Sequence, residues 1–365
     1  MILDEVDSEA RAILEANHFD VASFEELRQG LVDGSRGTFG NAFRGTVEPP
    51  LASDLTNLPR QGDASHGAAV DAGSQALHDG AIAMVVLAGG MATRFGGGVK
   101  AVAEVIDGRS FLDVKLGETA RLARDLGCEI PTVLMTSFAT DEIVRAHVAE
   151  RHLGEPLVFR QTAAPRFEPD GRVFLDGDGK ASLYGPGHGD LLDSIRLSGT
   201  LAELRQRGVH SIAVSNVDNL AARLDPAVIG MHLLAGTPLT VEVVPKGADT
   251  GGAPARVDGR PQLVESMRFP EGFDQSSIPV FNTNTAMITV AALEHHVDLT
   301  WLVAQKQVNG RVAIQFERLY HELSSYVPTT FLVVPREGDA TRFLPVKEPD
   351  DLLEARRLVR RFAAA

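Results

Sequence analysis

Apolar and polar positions divide the chain into two regimes. Over residues 1 to about 30 the apolar residues recur with a helical period: Ala10, Ile13, Leu14 and Phe19 share one side, and Asp7 or Ser8 can cap the start. From Gly30 to Gly80 the pattern fades into a polar stretch bearing glycine and proline, weakest between Arg60 and Gly73, which reads as a linker. From Ala81 onward strand-like and helix-like segments alternate. The strand candidates are 81–88, 131–137, 156–160, 209–215, 238–244, 262–269, 279–283 and 330–334. Between the first two, Leu112, Leu116, Ala120, Ala123 and Leu126 predict a helix that Ser110 can cap, and a second helix opens at Thr140-Asp141-Glu142. The alternation predicts an α/β fold on a mostly parallel sheet, with residues 1–80 as a helical extension and linker and 81–365 as the main domain. No repeat of fixed period is present.

Composition narrows the possibilities. A chain of 365 residues with 44% hydrophobic content can bury a sizeable core. Its 35 basic and 49 acidic residues give a net charge of -14, which disfavours nucleic acid and anionic membrane as partners. A polyphosphate ligand would then need local positive charge, a metal ion, or both. The single cysteine, Cys128, excludes an intramolecular disulfide and a cysteine-rich metal site, and reads as a core residue. The start, MILDEVDSEARAILEANHF, is acidic where a secretory signal is basic, and no run of eighteen apolar residues occurs. A cytoplasmic location is the expectation.

The candidate chemistry begins at LAGGMATRFGGGVKAVAEV, Leu87 to Val105, where five glycines, Arg94 and Lys100 follow the apolar run 81–86. A strand running into such a loop suggests a phosphate cradle, because glycines let a ligand approach the main chain. It is not a P-loop, since Val99 precedes Lys100 and Ala101 follows it. Nor does it fit a dinucleotide fingerprint, because 101–105 reads as a short extended segment ending in the turn Asp107-Gly108.

The loop resembles the nucleotide loop of the nucleotide-sugar pyrophosphorylases, most closely the eukaryotic-type UTP:glucose-1-phosphate uridylyltransferases. Further blocks follow in the family's order: Val158-Phe159-Arg160-Gln161 with Pro165-Arg166, Gly187-His188-Gly189-Asp190, Ser215-Asn216-Val217-Asp218-Asn219, Phe281-Asn282-Thr283-Asn284, and Arg342-Phe343-Leu344-Pro345-Val346-Lys347. Met91-Ala92 stand where the family usually has Leu-Gly, Val99 where it has proline, and Thr285 where it has asparagine.

The resemblance implies a Rossmann-like, mixed, mostly parallel sheet of the nucleotide-diphospho-sugar transferase type, with an N-terminal helical extension and without the family's C-terminal β-helix domain. It implies that Leu87, Ala88, Gly89, Gly90, Thr93, Gln161, Gly187, His188 and Gly189 bind the nucleotide. Asn216, Lys246, Glu265, Asn282, Asn284 and Lys347 are the implied contacts of the sugar phosphate. Asp218 would hold Mg²⁺, while Lys100, Arg94 and Lys347 supply the catalytic charge. The implied reaction is nucleotidyl transfer from a nucleoside triphosphate, with UTP and glucose-1-phosphate expected. Two alternatives stay open: GTP with a cyclitol phosphate such as valienol-1-phosphate, and a catalytically silent nucleotide-sugar-binding regulator. Trp301, His295 and His296 read as packing residues.

Overall fold

The computed structural model describes residues 1–91, 97–247, 249–348 and 350–364. Among the described residues, eight strands form the main sheet, in spatial order Leu55–Asn57, Thr329–Val333, Leu239–Pro245, Val280–Thr289, Ser211–Asn216, Ile82–Leu87, Thr132–Thr136 and Leu157–Arg160. Neighbours run parallel except that Val280–Thr289 is antiparallel to the strands on both its sides. The sheet is therefore mostly parallel, as the alternating pattern predicts.

The unbroken apolar run at 82–87 has a direct cause: all six residues of Ile82–Leu87 are buried, because the strand is covered on both faces. Ala83, Val85 and Leu87 enter one core with Leu191, Ile195, Leu201 and Leu204, which lie on the helices Leu191–Leu197 and Thr200–Gln206. Ile82, Met84 and Val86 enter the other with Phe111, Leu112, Val144 and Ile229 from helices on the opposite face. Each of the larger side chains contributes about 1.5–3 kcal/mol on burial. The helix Phe111–Leu126 starts where the sequence indicates: Ser110 Oγ accepts the Asp113 N–H at 3.1 Å, and Asp113 accepts the Ser110 N–H at 2.7 Å. At the N-terminus Asp7, rather than Ser8, caps the helix Ser8–Ala16.

The stretch read as a linker is built into the fold. Leu55–Asn57 is an edge strand of the main sheet, and Ala64–His78 is a helix across the region of weakest apolar period. That helix packs through small residues, which carry little apolar signal. A Cβ on Gly73 would lie 1.9 Å from the Pro226 carbonyl oxygen, and one on Gly230 would lie 1.8 Å from that of Ala69. Backbone-to-backbone contact of this kind needs glycine on both helices. The N-terminal helices rest on a separate core in which Phe24 meets Trp301 edge-on at 5.1 Å.

The 262–269 candidate is a second departure. Arg260–Val264 pairs with Ala253–Val257 in a small separate sheet, and the rest turns into a short 3-10 segment. Cys128 is half-buried rather than in the core. No described helix is long and apolar enough to cross a membrane.

Candidate active site

Four parallel strands, Ile82–Leu87, Thr132–Thr136, Leu157–Arg160 and Ser211–Asn216, deliver their following loops to one edge of the sheet. Ligands of open α/β sheets bind beyond that carboxyl edge. The first loop is closed by a bridge between Met91 and Val99, and the Lys100 N–H donates to the Gly90 carbonyl at 3.3 Å. Thr93 and Arg94 lie outside the described residues.

Leu87 and Ala88 are spent on the scaffold. Both are buried; the Leu87 carbonyl accepts the Val217 N–H, the Ala88 N–H donates to Met135, and the Ala88 carbonyl accepts from Thr140 Oγ1. Ser137 Oγ likewise donates to the Gly89 carbonyl at 3.0 Å. Gly89 and Gly90 are thus the first positions that open outward. Ser137 and Thr140 carry no motif signal; only the pairing of the two strands brings them under the loop.

Gln161 joins the loops. Its side chain is held between two glycines: a Cβ on Gly89 would stand 2.9 Å from Gln161 Nε2, and one on Gly185 only 2.0 Å away. The next residue, Thr162, donates its N–H to Asp190 Oδ2 at 2.5 Å, and Asp190 Oδ1 pairs with Arg318 at 2.6 Å. Asp190 is fully buried, so this pair ties the Gln161 segment to the Gly187-His188-Gly189 turn. The close approach at Gly187 and Gly189 is made by protein rather than left for a ligand. Added Cβ atoms would come within 2.6 Å of the Arg318 carbonyl oxygen and 2.4 Å of its carbonyl carbon.

The charged pair forms at the next strand end. Lys100 Nζ donates to Asp218 Oδ2 at 2.6 Å, with both side chains largely sheltered. The Asp218 carbonyl accepts the Val346 N–H at 3.0 Å, so the segment reaching Lys347 runs beside Asp218. Asn219 reinforces this by accepting the Leu344 N–H and donating to the Arg342 carbonyl and to Thr285 Oγ1. Thr285, the departure from the family's asparagine, is a buried joint. Lys347 is exposed, and its N–H donates to Asp351. The segment is anchored at its other end by Arg342, which is buried and forms a two-bond pair with Glu242.

Gly252 lies between Asn282 and Glu265, beside the strand that carries Glu242. The Asn282 N–H donates to the Gly252 carbonyl, and a Cβ on Gly252 would lie 2.7 Å from Glu265 Oε2. Asn282 and Asn284 hydrogen-bond to each other within a bulge, where Asn284 takes φ 56. Tyr320 Oη donates to the Asn284 carbonyl at 3.2 Å. Asn216 closes the strand Ser211–Asn216 opposite Leu87. Lys246 is occupied elsewhere, its Nζ donating to the Gln275 carbonyl at 2.5 Å.

Burial shapes the titration here. It lifts the Glu265 carboxyl to about 7, against an opposing pull from Arg268, and lowers His188 to about 4. His321, adjacent to Tyr320 and absent from the sequence-derived set, is driven well below the ordinary histidine range by burial and then by His188. A sheltered carboxyl that titrates near 7, two neutral imidazoles and amide groups can receive hydroxyls, while Lys100 and the Asp218 oxygens suit phosphate and a hard cation. The Asp218 donor chemistry fits Mg²⁺, which takes one or two carboxylates and completes its shell with phosphate and water.

Residues 58–361 match the sequence profile of a family described as UTP--glucose-1-phosphate uridylyltransferase. The chain belongs to that family. The UTP--glucose-1-phosphate uridylyltransferase of Hordeum vulgare is 31% identical over 292 residues, covering 74% of this chain and 61% of that protein. The Saccharomyces cerevisiae enzyme of the same name is 30% identical, covering 74% and 58%. The chain thus spans 61% and 58% of the lengths of these relatives. Among solved structures, a uridine diphosphate N-acetylglucosamine pyrophosphorylase from Trypanosoma brucei superposes with a TM-score of 0.76 at 20% identity, covering 97% of this chain and 80% of its own. A UDP-glucose pyrophosphorylase mutant from Leishmania major in complex with UDP-glucose gives 0.73 at 24%, covering 96% and 79%. These likenesses establish the shared fold: a mixed α/β architecture of the uridylyltransferase type.

Proposed function

We propose that this uridylyltransferase-family chain transfers a uridylyl group from UTP to glucose-1-phosphate, giving UDP-glucose and pyrophosphate. An oxygen of the sugar phosphate attacks the α-phosphorus of UTP, forming one P–O bond as the bond to the β-phosphate oxygen breaks in line. The nucleophile is already anionic at neutral pH, so no general base is needed. The work of the site is to align two anions and offset their charge.

The observation that carries this reading is the contact of Lys100 with Asp218 beside the Val346-Lys347 segment, at the edge where the Gly89-Gly90 and Gln161 segments also emerge. Gln161 orients the base, Lys100 turns from Asp218 to the triphosphate, and Lys347 holds the sugar phosphate. Asn282, Asn284 and Glu265 receive sugar hydroxyls. Asp218 would hold Mg²⁺, which when bound neutralises phosphate charge. The relatives' names support UTP and glucose-1-phosphate as the substrates.

The test is a pyrophosphate-release screen over four nucleoside triphosphates and a panel of 1-phosphates. Fast release with UTP and glucose-1-phosphate is expected. Release only with GTP and a cyclitol phosphate would replace the substrates, and no release with any pair would favour a binding protein without catalysis.

A further inference from the structure

Three side chains from distant parts of the sequence point at one another without satisfying each other. His188 lies in the 3-10 segment His188–Asp190, Glu265 follows the strand Arg260–Val264, and His321 lies in Tyr320–Ser325. One ligand atom from each falls within 4.8 Å of the other two. Among the described residues, His321 is fully buried with no hydrogen-bond partner for either ring nitrogen, and Glu265 Oε1 is also buried and unpartnered. Leaving such groups unmade costs about 1–3 kcal/mol each. Arg268 pulls on the Glu265 charge, but its guanidinium is committed to a pair with Glu322 and a stack on Phe43 at 4.0 Å.

We propose that His188, Glu265 and His321 form a binding site for a borderline-soft divalent transition metal of the Zn²⁺ class, distinct from the oxygen-donor site at Asp218. Two imidazoles and one carboxylate are a donor set that such ions take with a fourth position left to water. Neutral buried imidazoles offer the required lone pair. Tetrahedral zinc places ligand atoms about 3.4 Å apart, given metal–ligand distances of about 2.0–2.1 Å. The three side chains therefore need to close by at most about 1.4 Å on that scale, a movement open to His188 and Glu265 because both are only half-buried. Binding displaces the 3.3 Å hydrogen bond that His188 Nδ1 accepts from the Tyr320 N–H. Mg²⁺ prefers oxygen and does not compete for this site. Because Tyr320 also holds the Asn284 carbonyl, the metal occupies the space assigned above to the sugar, and inhibition of transfer by Zn²⁺ follows; that consequence alone rests on the proposed function.

The test uses the full chain and Co²⁺ as a spectroscopic probe. One equivalent of Co²⁺ per chain should give the visible absorption of a low-coordinate, nitrogen-ligated ion, displaced by Zn²⁺ and unaffected by Mg²⁺. Glu265→Gln, which preserves shape, and His321→Gln should each weaken binding by about tenfold or more, with circular dichroism confirming that each variant is folded. Absence of a bound equivalent in the unaltered chain, or an unchanged spectrum and affinity in Glu265→Gln, would overturn the site. The readout needs no substrate. A chain that binds cobalt but transfers nothing refutes only the proposed function, and an active chain that binds none refutes only this inference.

Discussion

Lys100 Nζ lies 2.6 Å from Asp218 Oδ2, across 118 residues of sequence. A lysine and an aspartate so placed compensate each other's charge, and under the proposed function both would become available to a triphosphate and its cation. In the proposed reaction the pair would exchange partners: phosphate oxygen for the lysine, metal for the carboxylate.

Lys100→Ala should therefore lower turnover on the order of 10²-fold or more, the scale of losing one charge-stabilising donor. Single-turnover kinetics separates this from slow product release. Unchanged turnover would remove Lys100 from the chemistry.

Removing the divalent ion with excess chelator should abolish pyrophosphate release, and Asp218→Asn should raise the Mg²⁺ concentration needed for half-maximal rate. Full activity in chelator would refute the role given to Asp218.

Gly185→Ala tests the positioning of the Gln161 amide that is proposed to contact the base. Its Cβ would fall 2.0 Å from Gln161 Nε2, so Gln161 must turn away. The expected result is a KM for the nucleotide raised by roughly tenfold, the value of one lost hydrogen bond of about 1–1.5 kcal/mol. Gly89→Ala, at 2.9 Å, should do less. A nucleotide KM unchanged in Gly185→Ala would mean that Gln161 does not read the base.

Arg342→Met should cost about 3–5 kcal/mol, because it leaves Glu242 buried without a partner. Urea unfolding measures the loss, and adding Glu242→Gln should return part of it. If the single variant is as stable as the parent, the pair does not anchor the segment leading to Lys347.

His232 supplies a pH test. It is buried, its ring nitrogens meet Ser211 Oγ at 3.1 Å and Thr240 Oγ1 at 2.9 Å, and burial lowers it to about 4. An unfolded histidine titrates near 6.5, so between about 6.5 and 4 the unfolded chain binds the extra proton. The stability is fully present above pH 6.5 and is lost as the pH falls toward 4, on the order of 3 kcal/mol from this residue. Unfolding midpoints at pH 7 and 4.5 should converge more closely in His232→Asn than in the parent; an identical difference in both would exclude the residue as the source.

Local chemistry was readable in the sequence where it is carried by contiguous residues. The six-residue run ending at Leu87 marks a strand covered on both faces, and Ser110 with Asp113 marks a helix start, because burial and capping act over a few neighbours. Lys100, Gln161, His188, Asp218 and Lys347, of which Gln161 and Asp218 follow closely on strands of the main sheet, were legible as candidates through contiguous motifs. Their partners were not. Ala64–His78 was hidden because Ala69 and Gly73 gain stability by letting backbones touch, a property that leaves no apolar period.

Sequence alone determined the α/β class, the order of the loops and the residue types offered at the candidate site. Tertiary structure decided which of these meet: Lys100 with Asp218, Gln161 between Gly89 and Gly185, His188 with Glu265 and His321. The physical reason is that strand pairing and crossover geometry fix distances between segments a hundred residues apart, and no local pattern in the chain encodes those distances.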